Sequence, residues 1–127
     1  MSKQLVLDFS NLGYRTHIIE RARLVAWTIT EGRDEKRVRR RVQACHQKLI
    51  LIAINSFGLN CYASVASLAE RASVTLRDCE RAIKALQEQM LLSVEKETEK
   101  GHWPRNVYCI DFQALQSPIE SQLEVFD

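Results

Sequence analysis

The stretch from Tyr62 to Leu92, YASVASLAERASVTLRDCERAIKALQEQMLL, decides how the chain is read. Ser64 precedes VASLAERA, in which Val65, Leu68 and Ala69 recur at helical spacing. A serine just ahead of such a run supplies the oxygen that accepts from an unpaired first-turn N–H. Thr75 stands in the same relation to LRDCERAIKALQEQ, where Leu76, Cys79, Ile83 and Leu86 share one side. Two short helices joined by a tight turn at Ser73 and Val74 are therefore predicted.

On the C-terminal side, LLSVEKETE and NVYCIDF are strand-like runs around KGHWPR, where Gly101 and Pro104 break the pattern. They predict a hairpin with a long charged tip. On the N-terminal side, LILIAI (Leu49–Ile54) closes a helix that Gly58 ends. Its start is assigned to a cap at Asp34, so that EKRVRRRVQACHQK forms its first half, with a break near His46 as the alternative. Val38, Val42 and Cys45 then mark its buried side, and Arg37, Arg39, Arg40 and Arg41 occupy much of the rest. Upstream, Ile18, Ile19, Ala22, Val25, Ala26 and Ile29 predict an amphipathic helix through RTHIIERARLVAWTIT, with Gly32 as its stop. The expected division is an extended arm over 1–13, an N-terminal helical extension over 14–47, a core domain over 48–112 and an acidic tail over 113–127.

Helix, short helix, tight turn, longer helix and two-stranded hairpin is the order of a winged helix-turn-helix. The fold class expected is thus mainly α with a small β-hairpin (α+β), a winged helix-turn-helix preceded by a helical extension. In that module the second short helix enters the major groove of DNA. At ~100° per residue, the apolar positions of the second helix cluster in one arc, and Arg77, Arg81 and Lys84 centre on the opposite side. Arginine's planar fork suits the acceptor edge of guanine, and lysine suits a base edge or a phosphate. Thr75 and Asp78 are placed to join them. Tyr62, Ser64, Ser67 and Arg71, near the ends of the preceding helix, are groups that donate to phosphate oxygens. The hairpin tip offers Lys100, His102, Trp103, Arg105 and Asn106 for a minor-groove or backbone contact.

The stretch KLILIAINSFGLNCYASVASLAERASVTLRDCERAIKALQEQMLLSVEKETEKGHWPRNVYCIDF resembles the winged helix-turn-helix of phage and plasmid replication proteins and related bacterial regulators. Their usual run is an apolar KLxLLAL helix, an aromatic-Pro-Ser before LA, a Ser-capped recognition helix ending AL..L...GLL, and a strand finishing N.Y.L. The match covers about half of the chain. Ala63 stands where proline is common, Ser73 where the turn usually has glycine, and Met90 where glycine often ends the recognition helix. The resemblance implies that Thr75 caps, that Arg77, Asp78, Arg81 and Lys84 face the groove, and that Arg105 with Asn106 closes the wing. It also implies a role in plasmid or phage replication or in transcription control.

Two further signals lie outside this stretch. Gln4 to Phe9, QLVLDF, with Gln4, Leu7 and Phe9 as anchors, resembles the peptide by which bacterial replication proteins dock on the sliding clamp. Gln122 to Phe126, QLEVF, with Gln122, Leu123 and Phe126, resembles its shorter form. The arginine-rich run is read either as a second phosphate-contacting surface or as the solvated face of a helix whose other side packs in a dimer.

Charge and composition set the remaining bounds. The net charge is +2, but residues 15–41 carry nine basic and four acidic side chains, and residues 111–127 carry four acids and no base. Hydrophobic and charged contents of 46% and 27% are those of a globular chain. No apolar run approaches the ~20 residues of a spanning helix, and the N-terminus lacks a signal-peptide pattern, so a cytoplasmic protein of the bacterial cytosol or nucleoid is expected, with no membrane contact. Cys45, Cys61, Cys79 and Cys109 form no CxxC pair, so reduced and mostly buried thiols and no metal are expected. His17, His46 and His102 have no companions at catalytic spacing and there is no Gly-rich phosphate loop, so neither an enzyme nor a cofactor is expected. The partners implied are double-stranded DNA, a second copy of the chain, and the sliding clamp. The rival reading is a winged-helix protein-interaction adaptor. It draws weight from six basic and six acidic residues over 75–105.

Overall fold

The computed structural model describes residues 11–98 and 104–116. Helix α1 (Leu12–Arg21) leads into strand β1 (Trp27–Glu31), a 3-10 turn at Asp34–Lys36 and strand β2 (Val38–Val42). Helices α2 (Ala44–Asn55), α3 (Val65–Ala72) and α4 (Leu76–Glu88) follow, then strands β3 (Leu92–Glu97) and β4 (Arg105–Ile110). A short helical turn covers 112–116. The fold is mixed α+β, with two antiparallel two-stranded sheets, β1–β2 and β3–β4. No helix among the described residues is long and apolar enough to cross a membrane.

The helices begin where their caps dictate. The Ser64 hydroxyl accepts from the Ser67 N–H at 3.1 Å, and the Thr75 hydroxyl accepts from the Asp78 N–H at 3.0 Å. Between them Ser73 closes α3 in the left-handed region at φ 59°, and Met90, at φ 64°, does the same after α4. Both are places where glycine would be favoured, since a side chain at such a φ costs roughly 1 kcal/mol.

One continuous apolar core joins the elements. Ile50, Leu51 and Ile54 of α2 meet Leu68 of α3, Cys79, Ile83 and Leu86 of α4, and Tyr108 of β4. Cys61 exchanges two backbone hydrogen bonds with Tyr108, at 3.0 and 2.9 Å, and so ties the segment before α3 to the β3–β4 hairpin. Ile18 and Ile19 of α1, Ile29 of β1 and Val42 of β2 belong to the same core.

Residues 27–42 correct the sequence expectation. In place of the second half of one helix and the basic first half of another stands a β-hairpin, with Trp27 opposite Val42, Ile29 opposite Arg40 and Glu31 opposite Val38. The predicted N-terminal helical extension is therefore a short helix plus a hairpin. Helix α1 stops at Arg21, where Ala22 turns extended. The following Val25, Trp27, Thr28, Ile29 and Thr30 are β-branched or aromatic and fit a pleated, half-buried surface. Asp34 caps no long helix and sits at φ 51° in the hairpin loop. Gly32 in that loop is at φ 91°, and a Cβ there would lie 2.3 Å from the Lys36 carbonyl oxygen, so glycine is required. Val38 and Cys45, expected on a buried helical side, are exposed.

A buried glutamine joins the hairpin to the helices. The Gln47 amide on α2 donates to the Val25 and Val42 carbonyls at 2.9 and 3.2 Å, and its oxygen accepts from Gln89 Nε2 at 2.7 Å. Both ends of the hairpin and the end of α4 thus meet at one side chain. Similarly, Arg15 of α1 is buried and its Nε donates to Asn55 Oδ1 of α2 at 2.7 Å. Replacing Gln47 with alanine leaves the buried Val42 carbonyl and the part-buried Val25 carbonyl without their donor, so Gln47→Ala should lower unfolding stability by about 1–3 kcal/mol. Urea denaturation checks this as a lower midpoint at unchanged slope.

Candidate nucleic-acid interface

Helix α4 places its side chains on three sides. Cys79, Ala82, Ile83, Ala85 and Leu86 are buried. Arg77, Glu80, Lys84 and Gln87 are exposed on the face away from the core, and Leu76, expected on the apolar side with Cys79, Ile83 and Leu86, is exposed as well, in the first turn of the helix. Along the flank between these sides runs strand β1. Trp27 Nε1 donates to Glu88 Oε1 at 2.9 Å, Lys84 Nζ donates to the Thr30 carbonyl, and Arg81 Nε donates to Glu31 Oε2 at 2.9 Å. Since Trp27 lies beside the end of α4 and Glu31 nearer its start, the hairpin loop comes to rest beside Arg77. Gly32, Lys36 and Val38 line one surface groove together with Arg77 and Arg81.

This arrangement divides the three expected readout cations. Arg77 stands exposed one residue inside the helix and, among the described residues, enters no salt bridge. Lys84 is exposed but leans on β1. Arg81, expected to face a groove, is instead held against the hairpin with only 20% of its side chain exposed. Its partner Glu31 also receives Arg40 Nε at 3.3 Å, so one carboxylate lies between two guanidiniums. The hydrogen bond from Arg81 and the two nearby positive charges hold the Glu31 carboxyl below its ordinary value of 4.5. The same hydrogen bond raises Arg81.

The other expected contacts are distributed as follows. Thr75 and Ser64 are exposed, with their hydroxyls engaged as caps, and Ser64 Oγ also donates to Ser67 Oγ at 3.1 Å. Asp78 is half-buried and lines a second groove with Arg81. Arg71 donates to Ser56 Oγ at 3.0 Å and stacks 4.3 Å over the Phe57 ring, which fixes it at the end of α2. Arg105 lies 4.3 Å over the Tyr62 ring and 3.6 Å from Glu97 Oε1, tying the β3–β4 hairpin to the entry of α3. Asn106 Nδ2 reaches the Tyr108 hydroxyl at 3.2 Å. Lys100, His102 and Trp103 lie outside the described residues, as do Gln4, Leu7, Phe9, Gln122, Leu123 and Phe126.

Arg37, Arg39, Arg40 and Arg41 are all exposed, on a strand and its approach rather than on a helix. Arg39, Arg40 and Arg41 line the second groove together with Asp78 and Arg81 of α4 and His46 of α2. The basic run and the start of α4 therefore share one surface. Glu31 and Gln47, which build that surface, were not singled out by sequence. The alternation of this acid with Trp27 and Ile29 is the signal by which a strand reading would have found Glu31.

Burial pushes the Cys79 thiol up to about 11 and raises Cys61, so neither is a thiolate near neutral pH. All four cysteines are free, two of them buried, and no group of three or more potential metal ligands converges among the described residues.

No family model and no curated protein matches the chain. Among solved structures it is similar to a "possible transcriptional regulator" from Methanosarcina mazei Go1, with 14% identity over 77% of this chain and 91% of that one, at a TM-score of 0.45.

Because the folded-state pKa of Glu31 is depressed, its ion pairs stabilise the hairpin above the ordinary value of 4.5 and are lost as pH falls through the lower folded value. Amide protection in β1 and β2 should therefore drop selectively in acid relative to α3. In Glu31→Gln the protection should be low already at neutral pH and change little on acidification.

Proposed function

We propose that the chain is a non-enzymatic protein that binds double-stranded DNA as a winged helix-turn-helix, in replication or transcription control, with the start of α4 entering the major groove. The observation that carries this reading is Arg77, exposed at the Thr75-capped start of α4 on the face away from the core, with its guanidinium uncommitted among the described residues. A guanidinium so placed matches the acceptor edge of guanine. Support comes from α3, which approaches α4 through the left-handed turn at Ser73, and from the β3–β4 hairpin fastened beside α3 by the Arg105–Tyr62 stack. A pair of recognition helices in a homodimer would read two half-sites.

One observation favours the protein-interaction adaptor. Arg81 and Lys84 are spent on the hairpin, so α4 has fewer cations for DNA than its sequence offers. Salt separates the two readings, because phosphate contacts release counterions and lose affinity steeply as salt rises. The full chain should select a duplex site from genomic fragments, and Arg77→Ala should weaken binding to that site by about 1–3 kcal/mol and relax its base preference. Fluorescence anisotropy on the selected duplex reads both effects. Parent-like affinity and preference in the variant would remove α4 as the reading helix.

A further inference from the structure

We propose that the β1–β2 hairpin is a second DNA contact, in which Arg39 and Arg41 of β2 hold the phosphodiester backbone beside the groove segment entered by α4. The inference rests on the DNA-binding reading above and adds to it an element outside the helix-turn-helix.

Strand alternation sorts the hairpin's side chains. Cross-strand partners share a face, so Trp27, Ile29, Glu31, Arg40 and Val42 point to α4 and the core, whereas Thr28, Thr30, Arg39 and Arg41 point outward. All four outward residues are exposed. Two guanidiniums, which only donate, and two hydroxyls, which can donate, with no carboxylate among them, form a pattern suited to phosphate oxygens. Arg39 and Arg41 are separated by two strand rises, about 6.7 Å. That is close to the spacing of successive phosphates along one DNA strand.

Rigidity makes the placement specific. Ile29 and Val42 are buried at 1% and 4% exposure, and Gln47 bonds to both ends of the hairpin. The hairpin is therefore a fixture of the core, and its arginines keep a set distance from Arg77. Glu31 offsets one of the two inward positive charges of Arg40 and Arg81, and Asp78 is the acid in the groove that Arg39 and Arg41 line. Neither Arg39 nor Arg41 enters a salt bridge among the described residues. A polyanionic backbone flanking α4 is the partner in reach of both elements at once.

The test uses the full chain and a fluorescent mixed-sequence duplex of about three helical turns. Binding is measured against salt for the parent, Arg39→Gln/Arg41→Gln, Arg39→Lys/Arg41→Lys, and Arg21→Gln/Arg23→Gln, a control that removes the same charge from exposed positions at the end of α1. The glutamine pair on β2 should flatten the slope of log affinity against log salt by about two units, since each phosphate contact contributes roughly 0.9. The lysine pair and the control should keep the parent slope. On the selected site, base preference should be unchanged in the glutamine pair, in contrast to Arg77→Ala. A parent slope in the glutamine pair, or an equal loss in the control, overturns the hairpin contact while leaving α4 as reader. No duplex binding by the parent overturns both, and capture of an acidic protein by the same arginines instead would assign the surface to a protein partner.

Discussion

The packing of β1 along the flank of α4 is the constraint on which the rest of the arrangement depends. An isolated two-stranded hairpin is marginal in water, and this one persists because Ile29 and Val42 enter the core of the helices. The polar anchors Trp27–Glu88, Lys84–Thr30 and Arg81–Glu31 then fix its register against α4. Once that register is set, the glycine-containing loop must arrive beside Arg77, and the arginines of β2 must line the groove at the start of the helix.

The same contact changes what α4 offers to a partner. A helix carrying Arg77, Arg81 and Lys84 on one exposed face would present three cations. Here one of them is half-withdrawn into an ion pair and another leans on a strand carbonyl, so positive charge moves from the middle of the helix to its start and to the outer edge of the hairpin. Glu31 is central to that shift. With one carboxylate it offsets one of the two inward positive charges, while Arg39 and Arg41 enter no salt bridge among the described residues.

Residues 62–98 and 104–112 were legible in the sequence because local rules and tertiary packing agree there. Ser64 and Thr75 cap as their positions require, Leu68, Cys79, Ile83 and Leu86 are buried as their spacing requires, and Ser73 and Met90 occupy the left-handed conformations that glycine would otherwise take. Residues 22–42 were not, because two periodicities overlap. Ala22, Val25, Ala26 and Ile29 satisfy a helical stripe, whereas Trp27, Ile29 and Glu31 satisfy alternation, and Arg40 stands on the inner face of β2 where alternation calls for an apolar residue. Only Glu31 across the strand explains that arginine, and a pairing between distant residues is not visible in a local pattern. The commitment of Arg81 was hidden for the same reason, since 50 residues separate it from its partner.

The central claim is that the start of α4 and the outer face of the β1–β2 hairpin form one DNA-binding surface. Titrating the isotopically labelled full chain with a mixed-sequence duplex and following its backbone amide resonances tests this most directly. The account predicts that the amides of Thr75 to Asp78 and of Thr28, Thr30, Arg39 and Arg41 shift together, with one shared midpoint that moves to higher DNA concentration as salt is added. Shifts confined to other surfaces, or none at all, would contradict it.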